Sequence, residues 1–227
     1  MAGTLFIVAT PIGNLNDITL RALEALKGAD LILCEDTRVT KKLLEHFIID
    51  KPTQSYHQHS GSEKIQTIIG YLRDGKTLAL VSDAGTPGIS DPGNLLIQEI
   101  VKTIGDEATI IPIPGPSAAI AALSISGFAT DRFVFLGFPP AKNKRQKYFQ
   151  ELLANEYTVV FYESNFRILK TLAEIDELNG NKARRVVACR ELTKTFESIY
   201  RGPIAEVIEK IKKDPLKGEF VVVLAGK

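Results

Sequence analysis

Cysteine is scarce: Cys34 and Cys189 are the only two among 227 residues. Each sits inside an apolar, strand-like run, which favours reduced core thiols over a disulfide framework or a thiolate metal cage and leaves neither as a good nucleophile. Long apolar runs are missing too. None reaches the roughly 18 to 20 residues of a membrane span, and Met1-Ala2-Gly3 leads into Thr4-Leu5-Phe6-Ile7-Val8 without a basic leader, so a cytoplasmic address with no membrane partner is expected. No fixed-period repeat and no low-complexity tract occurs, which argues against a solenoid or array. Net charge is only +1, too small to argue for nucleic acid from the total, so the distribution of charge has to carry that question. The remainder is ordinary for a folded chain: 44% hydrophobic and 24% charged residues can bury a sizeable core in one large domain or two lobes.

What is present is alternation. Short β-branched runs read as strands at Leu5 to Val8, Leu31 to Cys34, Leu78 to Val81, Thr109 to Ile113, Phe133 to Leu136, Thr158 to Tyr162, Arg185 to Ala188 and Phe220 to Leu224. Amphipathic segments between them read as helices at Thr19 to Leu26, Thr40 to Phe47, Glu63 to Leu72, Leu95 to Ile104, Ser117 to Ser126, Lys144 to Leu153, Arg167 to Leu178 and Ile204 to Ile211. This is α/β architecture. Two punctuation-rich stretches, Pro112 to Pro116 and Gly137 to Ala141, interrupt the rhythm, and the first places a lobe boundary near Pro114, giving lobes 1–114 and 115–227 with a ligand cleft expected between them.

Three loops stand out. Ala9-Thr10-Pro11-Ile12-Gly13-Asn14-Leu15 follows the first strand at the carboxyl edge, where open α/β sheets bind ligands. It lacks G-x-G-x-x-G and G-x-x-x-x-G-K-[ST], so a Rossmann dinucleotide site or a P-loop is poorly supported, and alone it reads as a plain turn. Ser82-Asp83-Ala84-Gly85-Thr86-Pro87-Gly88-Ile89-Ser90-Asp91-Pro92-Gly93 follows Leu78 to Val81. Its glycines permit close backbone approach to a ligand, and Asp91-Pro92 reads as an N-cap with a first-turn proline. Such a concentration of special backbone residues favours a binding loop over a rigid surface turn. Pro112-Ile113-Pro114-Gly115-Pro116-Ser117-Ala118-Ala119 opens a helix with small residues that could admit a ligand to its amides, or is simply a proline-rich helix entry.

Charged groups cluster near these loops. Glu35-Asp36-Thr37-Arg38 follows an apolar strand, placing two carboxylates and a guanidinium where acid-base or orienting work is possible, with one acid expected as a helix cap. Arg190-Glu191-Leu192-Thr193-Lys194 stands similarly in the other lobe; an ion-pair network is the competing explanation. Lys142, Lys144, Arg145 and Lys147, with Lys182, Arg184 and Arg185, form a basic set suited to phosphate contacts or to a solvated face. His57 and His59 share a face of an extended segment, but without a third ligand at suitable spacing no metal is expected.

Taken together, Thr10-Pro11-Ile12-Gly13-Asn14-Leu15, Glu35-Asp36-Thr37-Arg38, the Ser82 to Gly93 loop, Pro114-Gly115-Pro116-Ser117, Phe161-Tyr162-Glu163-Ser164 and Arg190-Glu191-Leu192-Thr193-Lys194 closely resemble the tetrapyrrole methylase superfamily, and within it the methyltransferases of small-subunit ribosomal RNA. The resemblance covers nearly the whole chain in order. It implies two α/β lobes, a homodimer, S-adenosylmethionine (AdoMet) as methyl donor, and 2′-O-methylation of a decoding-centre cytidine in 16S ribosomal RNA within the small subunit. It further implies cofactor contacts at Ile12, Ala84, Gly85, Thr86, Ile89, Ser117, Ala118, Glu163 and Leu192, and a polar catalytic position at Glu35. Two departures accompany it: Phe166 stands where family members usually carry histidine, and a small C-terminal extension common in the family is not expected here. Because the proton of a ribose hydroxyl must leave during attack, Glu35, Asp36 and Lys194 are the catalytic candidates, with Arg38 orienting a phosphate or an acid. The rivals are a methylase of a tetrapyrrole precursor and a non-catalytic RNA-binding assembly factor on the same fold.

Overall fold

The computed structural model describes residues 3–57, 60–180 and 184–227; His59 and Lys182 from the sequence analysis lie outside the described residues. The chain divides into two compact units, Met1–Ser117 and Ala118–Lys227. The division falls at Ser117 rather than Pro114 because Gly115 packs closely on Ala9 and the Pro116 carbonyl accepts a hydrogen bond from Thr86.

In the first unit, strands β1 (Gly3–Val8), β2 (Leu31–Cys34), β3 (Thr53–Ser55), β4 (Thr77–Val81) and β5 (Ala108–Ile113) form a sheet in the order β3-β2-β4-β1-β5. Every pairing is parallel, so the crossovers run through α1 (Leu20–Gly28), α2 (Thr37–His46), α3 (Ser62–Arg73) and α4 (Asn94–Ile104). Alternation along each strand serves two cores. Leu5, Ile7, Leu33, Leu78 and Leu80 pack with Ile68, Leu72 and Ile100 of α3 and α4, while Val8, Ile32, Cys34, Ala79 and Val81 pack with Leu26 and Leu44 of α1 and α2. Thr19 caps α1 by accepting from the Ala22 amide, and Asp36 caps α2 by accepting from the Arg38 amide. Since β1 lies between β4 and β5, the loops leaving these three strands emerge side by side at the carboxyl edge.

The second unit carries a mixed sheet in the order β6-β7-β10-β8-β9, formed by β6 (Phe133–Phe135), β7 (Thr158–Ser164), β8 (Arg185–Arg190), β9 (Ser198–Pro203) and β10 (Glu219–Leu224). Only the β6–β7 pairing is parallel. Helices α6 (Arg145–Ala154), α7 (Ile168–Leu178) and α8 (Ile204–Ile211) cover one face around Phe149, Phe161, Leu172, Val207 and Val222. The short α5 (Ala118–Ser124) lies against β7 and β10. Among the described residues no helix is long and apolar enough to cross a membrane.

Two strands depart from the sequence reading. β3 is a three-residue polar edge paired only to β2, and β9 is an edge strand that contains Gly202 and ends on Pro203, a position at which proline costs no ladder bond. A third departure concerns α4. It begins at Asn94 behind Gly93, whose φ of 141° suits glycine alone, so Asp91 is not its N-cap and is left for other work.

Candidate active site

The three loops meet at Gly85. The Thr10 amide donates to the Gly85 carbonyl at 2.9 Å and the Gly85 amide returns a bond to the Thr10 carbonyl at 3.1 Å. The Thr86 hydroxyl donates to the Pro116 carbonyl at 3.2 Å. Gly85 has a φ of +87°, and a Cβ placed there would lie 3.5 Å from Ile12 Cγ2 and 3.9 Å from the Pro116 oxygen. Ile12, Ala84, Gly85 and Thr86, expected from sequence to act together, are thereby joined to the Pro116-Ser117 end of the first unit. Ala84 and Ile89 are exposed, so the loop offers side-chain surface beside its backbone.

The far end of the same loop borders a cavity of about 490 Å³ lined by Glu35, Tyr56, His57 and residues 90–95. The Asp36 amide donates to Asp83 Oδ1 at 3.0 Å, which ties the Glu35-Asp36 turn to the Ser82 loop and gathers carboxyl groups on one edge. Burial raises the pKa of Glu35, and the neighbouring Asp83 raises it further. Asp91 is pushed up to about 6 by burial and by Glu35, against a lowering hydrogen bond from Ser82. Asp36 is the opposite case. Its bonds to the Arg38 side chain and amide hold it down at about 2, and the pair closes at 2.6 Å.

Asp91 has a consequence for stability. An acid whose pKa is raised by folding holds a proton that the unfolded chain releases, so its contribution is present below about pH 4 and is lost as pH rises through about 6. Asp91→Asn removes that loss and can keep a hydrogen bond to Ser82. The variant is expected to melt above the parent at pH 7.5, by roughly 2 to 4 °C per kcal/mol of repulsion relieved, with the advantage vanishing near pH 4. Calorimetric melting at both pH values checks this, and equal curves at pH 7.5 would remove the electrostatic reading of Asp91.

In the second unit, two of the expected site residues have internal ion-pair partners. Glu163 has a fully buried side chain paired to Arg167 at 2.8 Å, and it accepts from the Ser164 amide at 2.7 Å and the Thr171 hydroxyl at 2.6 Å. Its carboxylate is thus held in place by its own helix and turn, and no bond to a cofactor is needed to keep it charged. Arg145 corrects the expected phosphate contact: as the first residue of α6 it points inward, pairs with Glu174 at 2.7 Å and donates to Thr171 and to the Pro140 carbonyl. Lys142, Lys144 and Lys147 remain exposed.

Ala118 opens α5, and Leu192 is buried between Glu191 and Thr193, both held at positive φ, 51° and 66°. Such strain in ordinary residues marks a segment that its surroundings over-determine. Beside Leu192, Arg190 Nε and Thr193 Oγ1 are buried without a partner. Lys194 pairs with Glu191 at 2.9 Å and Glu219 at 3.2 Å. Burial works against its charge, yet these two acids outweigh it and raise its pKa, so Lys194 is a held cation rather than a proton acceptor. Asp91 and Asp83 were missed as site groups by sequence reasoning. The available signal was their place in the glycine loop, but Asp91-Pro92 also matches a helix start.

Residues 4–208 match the family described as Tetrapyrrole (Corrin/Porphyrin) Methylases. The chain is 49% identical over 226 residues to the ribosomal RNA small subunit methyltransferase I of Synechocystis, covering 99% of this chain and 79% of the relative. It is 44% identical to the Thermotoga maritima protein of that name, with 99% of each covered. The chain belongs to the tetrapyrrole methylase family, among the methyltransferases I of small-subunit ribosomal RNA. Solved structures agree on the fold of this tetrapyrrole methylase: a cobalt precorrin-4 methyltransferase matches with TM-score 0.70 at 18% identity, covering 98% of this chain and 94% of that one. A diphthine synthase matches with TM-score 0.73 at 16% identity, covering 98% and 90%.

Proposed function

We propose that this methyltransferase transfers the methyl group of AdoMet to the ribose 2′-hydroxyl of a decoding-centre cytidine in 16S ribosomal RNA, acting as a cytoplasmic homodimer on the small subunit. The observation that carries the reading is one loop with two ends. Ser82 to Gly93 makes the Gly85 junction at its start and borders the Glu35 and Asp91 cavity at its finish.

The junction fits a cofactor. Its Gly85 is held by both backbone bonds to Thr10 at a φ that favours glycine, so the loop is fixed there, and the exposed Ala84 and Ile89 with Ile12, Thr86 and Ser117 would hold AdoMet. When bound, AdoMet supplies an electrophilic methyl group on a sulfonium. The protein's part is to align the hydroxyl and take its proton. Glu35 is the fitting acceptor, since its raised pKa makes it a stronger base than Asp36, which is committed to Arg38. Arg38 is exposed and can meet a phosphate, and Lys142, Lys144 and Lys147 supply further cations for the RNA backbone.

Tritium transfer from AdoMet to small subunits lacking the modification, with mapping of the labelled nucleotide, tests the whole reading. The junction has its own test. Gly85→Val forces a β-branched residue to a φ of +87°, a strain of about 1 to 2 kcal/mol or more that the loop can relieve only by moving. Calorimetry should show AdoMet affinity reduced on the order of tenfold or beyond in a protein that still melts cooperatively; parental affinity would displace the cofactor from this loop.

A further inference from the structure

Phe138 is 54% exposed and Phe166 is 90% exposed, although the second unit has a well-filled core. Phe138 is not a loose side chain. Its ring meets Tyr162 edge-on at 5.4 Å, and Tyr162 in turn meets Phe135 at 5.0 Å. The Tyr162 amide donates to the Gly137 carbonyl at 2.9 Å, which fixes the backbone just before Phe138. The backbone just after it is fixed by two arginines: Arg167 donates to the Pro139 carbonyl at 3.1 Å and Arg145 to the Pro140 carbonyl at 2.9 Å. Phe166 stands on the turn that Arg167 closes, so both exposed rings are carried by loops tied to one ionic cluster.

The loop that carries Phe138 continues into two lysines. Lys142 and Lys144 follow on the same loop, both exposed, and neither takes part in an ion pair among the described residues. A braced aromatic ring on the same loop as two lysines without an ion pair suits a ligand that is flat, polarisable and joined to an anionic backbone. A hydrophobic protein partner would leave those lysines facing an apolar surface at a desolvation cost.

We propose that Phe138, braced by Tyr162, is a stacking platform for an unpaired RNA base, with Lys142 and Lys144 holding the flanking phosphates and Phe166 available to a second base. The proposal rests on the reading of this chain as a ribosomal RNA methyltransferase and names where single-stranded RNA lies on its second unit. Base stacking on an aromatic residue is sequence-tolerant and insensitive to salt, whereas phosphate contacts carry the salt dependence.

The test is equilibrium binding of the full chain to unmethylated small ribosomal subunits over a salt series. Phe138→Ala and Phe138→Leu are expected to weaken binding about tenfold without changing the salt slope, and Phe138→Trp to retain parental affinity. Lys142→Gln with Lys144→Gln should lower the slope by about 0.7 to 0.9 for each phosphate deprived of its cation. Melting temperature and AdoMet affinity report that each variant is folded. Parental affinity in Phe138→Ala, with subunits still methylated, overturns the platform and leaves the proposed function standing. Parental affinity in Phe138→Leu with loss in Phe138→Ala overturns it as well, because it shows an apolar contact in place of stacking. Failure of the parent chain to bind or methylate small subunits overturns the functional reading and the platform with it.

Discussion

Glu35→Gln is expected to lower single-turnover methyl transfer by roughly 10²- to 10⁴-fold at saturating AdoMet and subunit, the range for loss of a positioned proton acceptor, while leaving both binding constants near the parent. A group that acts only as the methyl moves changes turnover and spares ground-state affinity. The pH profile gives a second readout. A general base works deprotonated, and burial with the neighbouring Asp83 raises the pKa of Glu35 above the ordinary glutamate range. The parental rate therefore climbs as pH rises through that raised Glu35 titration, and the Glu35→Gln variant loses this limb. Asp36→Asn serves as the contrast: its carboxylate already accepts from Arg38 and caps α2, so its loss should appear mainly in stability. A parental single-turnover rate in Glu35→Gln would move the proton to water or to the RNA.

Arg167→Met is expected to destabilise the protein by about 3–5 kcal/mol, the cost of leaving a buried carboxylate without its cation. Glu163 has no exposed side-chain surface, so water cannot replace the missing partner, and Thr171 and the Ser164 amide are already committed to it. Urea unfolding should show a lower midpoint with an unchanged m-value. Adding Glu163→Gln should recover part of the loss, since the stranded charge is gone; simple additivity of the two changes would show that they do not interact. Arg167 also bonds the Pro139 carbonyl, so the Arg167→Met protein should hold Phe138 less firmly than the parent.

The secondary structure was readable wherever one residue class dominated a segment. Leu31–Cys34 and Ile204–Ile211 carry boundaries visible in the sequence, because an apolar run and an apolar stripe each end abruptly at polar residues. Thr53–Ser55 was not readable: three polar residues become a strand only because β2 offers them an open edge. The glycine loop stood out as a candidate because its composition is costly for a plain turn, and the first unit brings together Ile12, Gly85 and Thr86, the residues that the family resemblance had grouped. Side-chain direction was the part that could not be read. Arg145 lies among exposed lysines in sequence, yet its place at the start of α6 turns it toward Glu174. Glu163 lies in a motif-like stretch, yet strand alternation sends it inward. Asp91 was obscured by a proline that follows it, and only the φ of Gly93 reveals that the helix waits two residues longer.

The strand of the second sheet that is made last has a central seat. β10 lies between β7 and β8 and bonds to both, so during synthesis this sheet exists as two unjoined halves until residues near 224 have left the ribosome. Val222 and Leu224 belong to the same buried cluster as Phe161 and Ala188, so the core around those earlier side chains is incomplete until β10 is made. The second unit can first close only when that strand emerges, and any pause in translation before then holds an open β-edge beside other nascent chains.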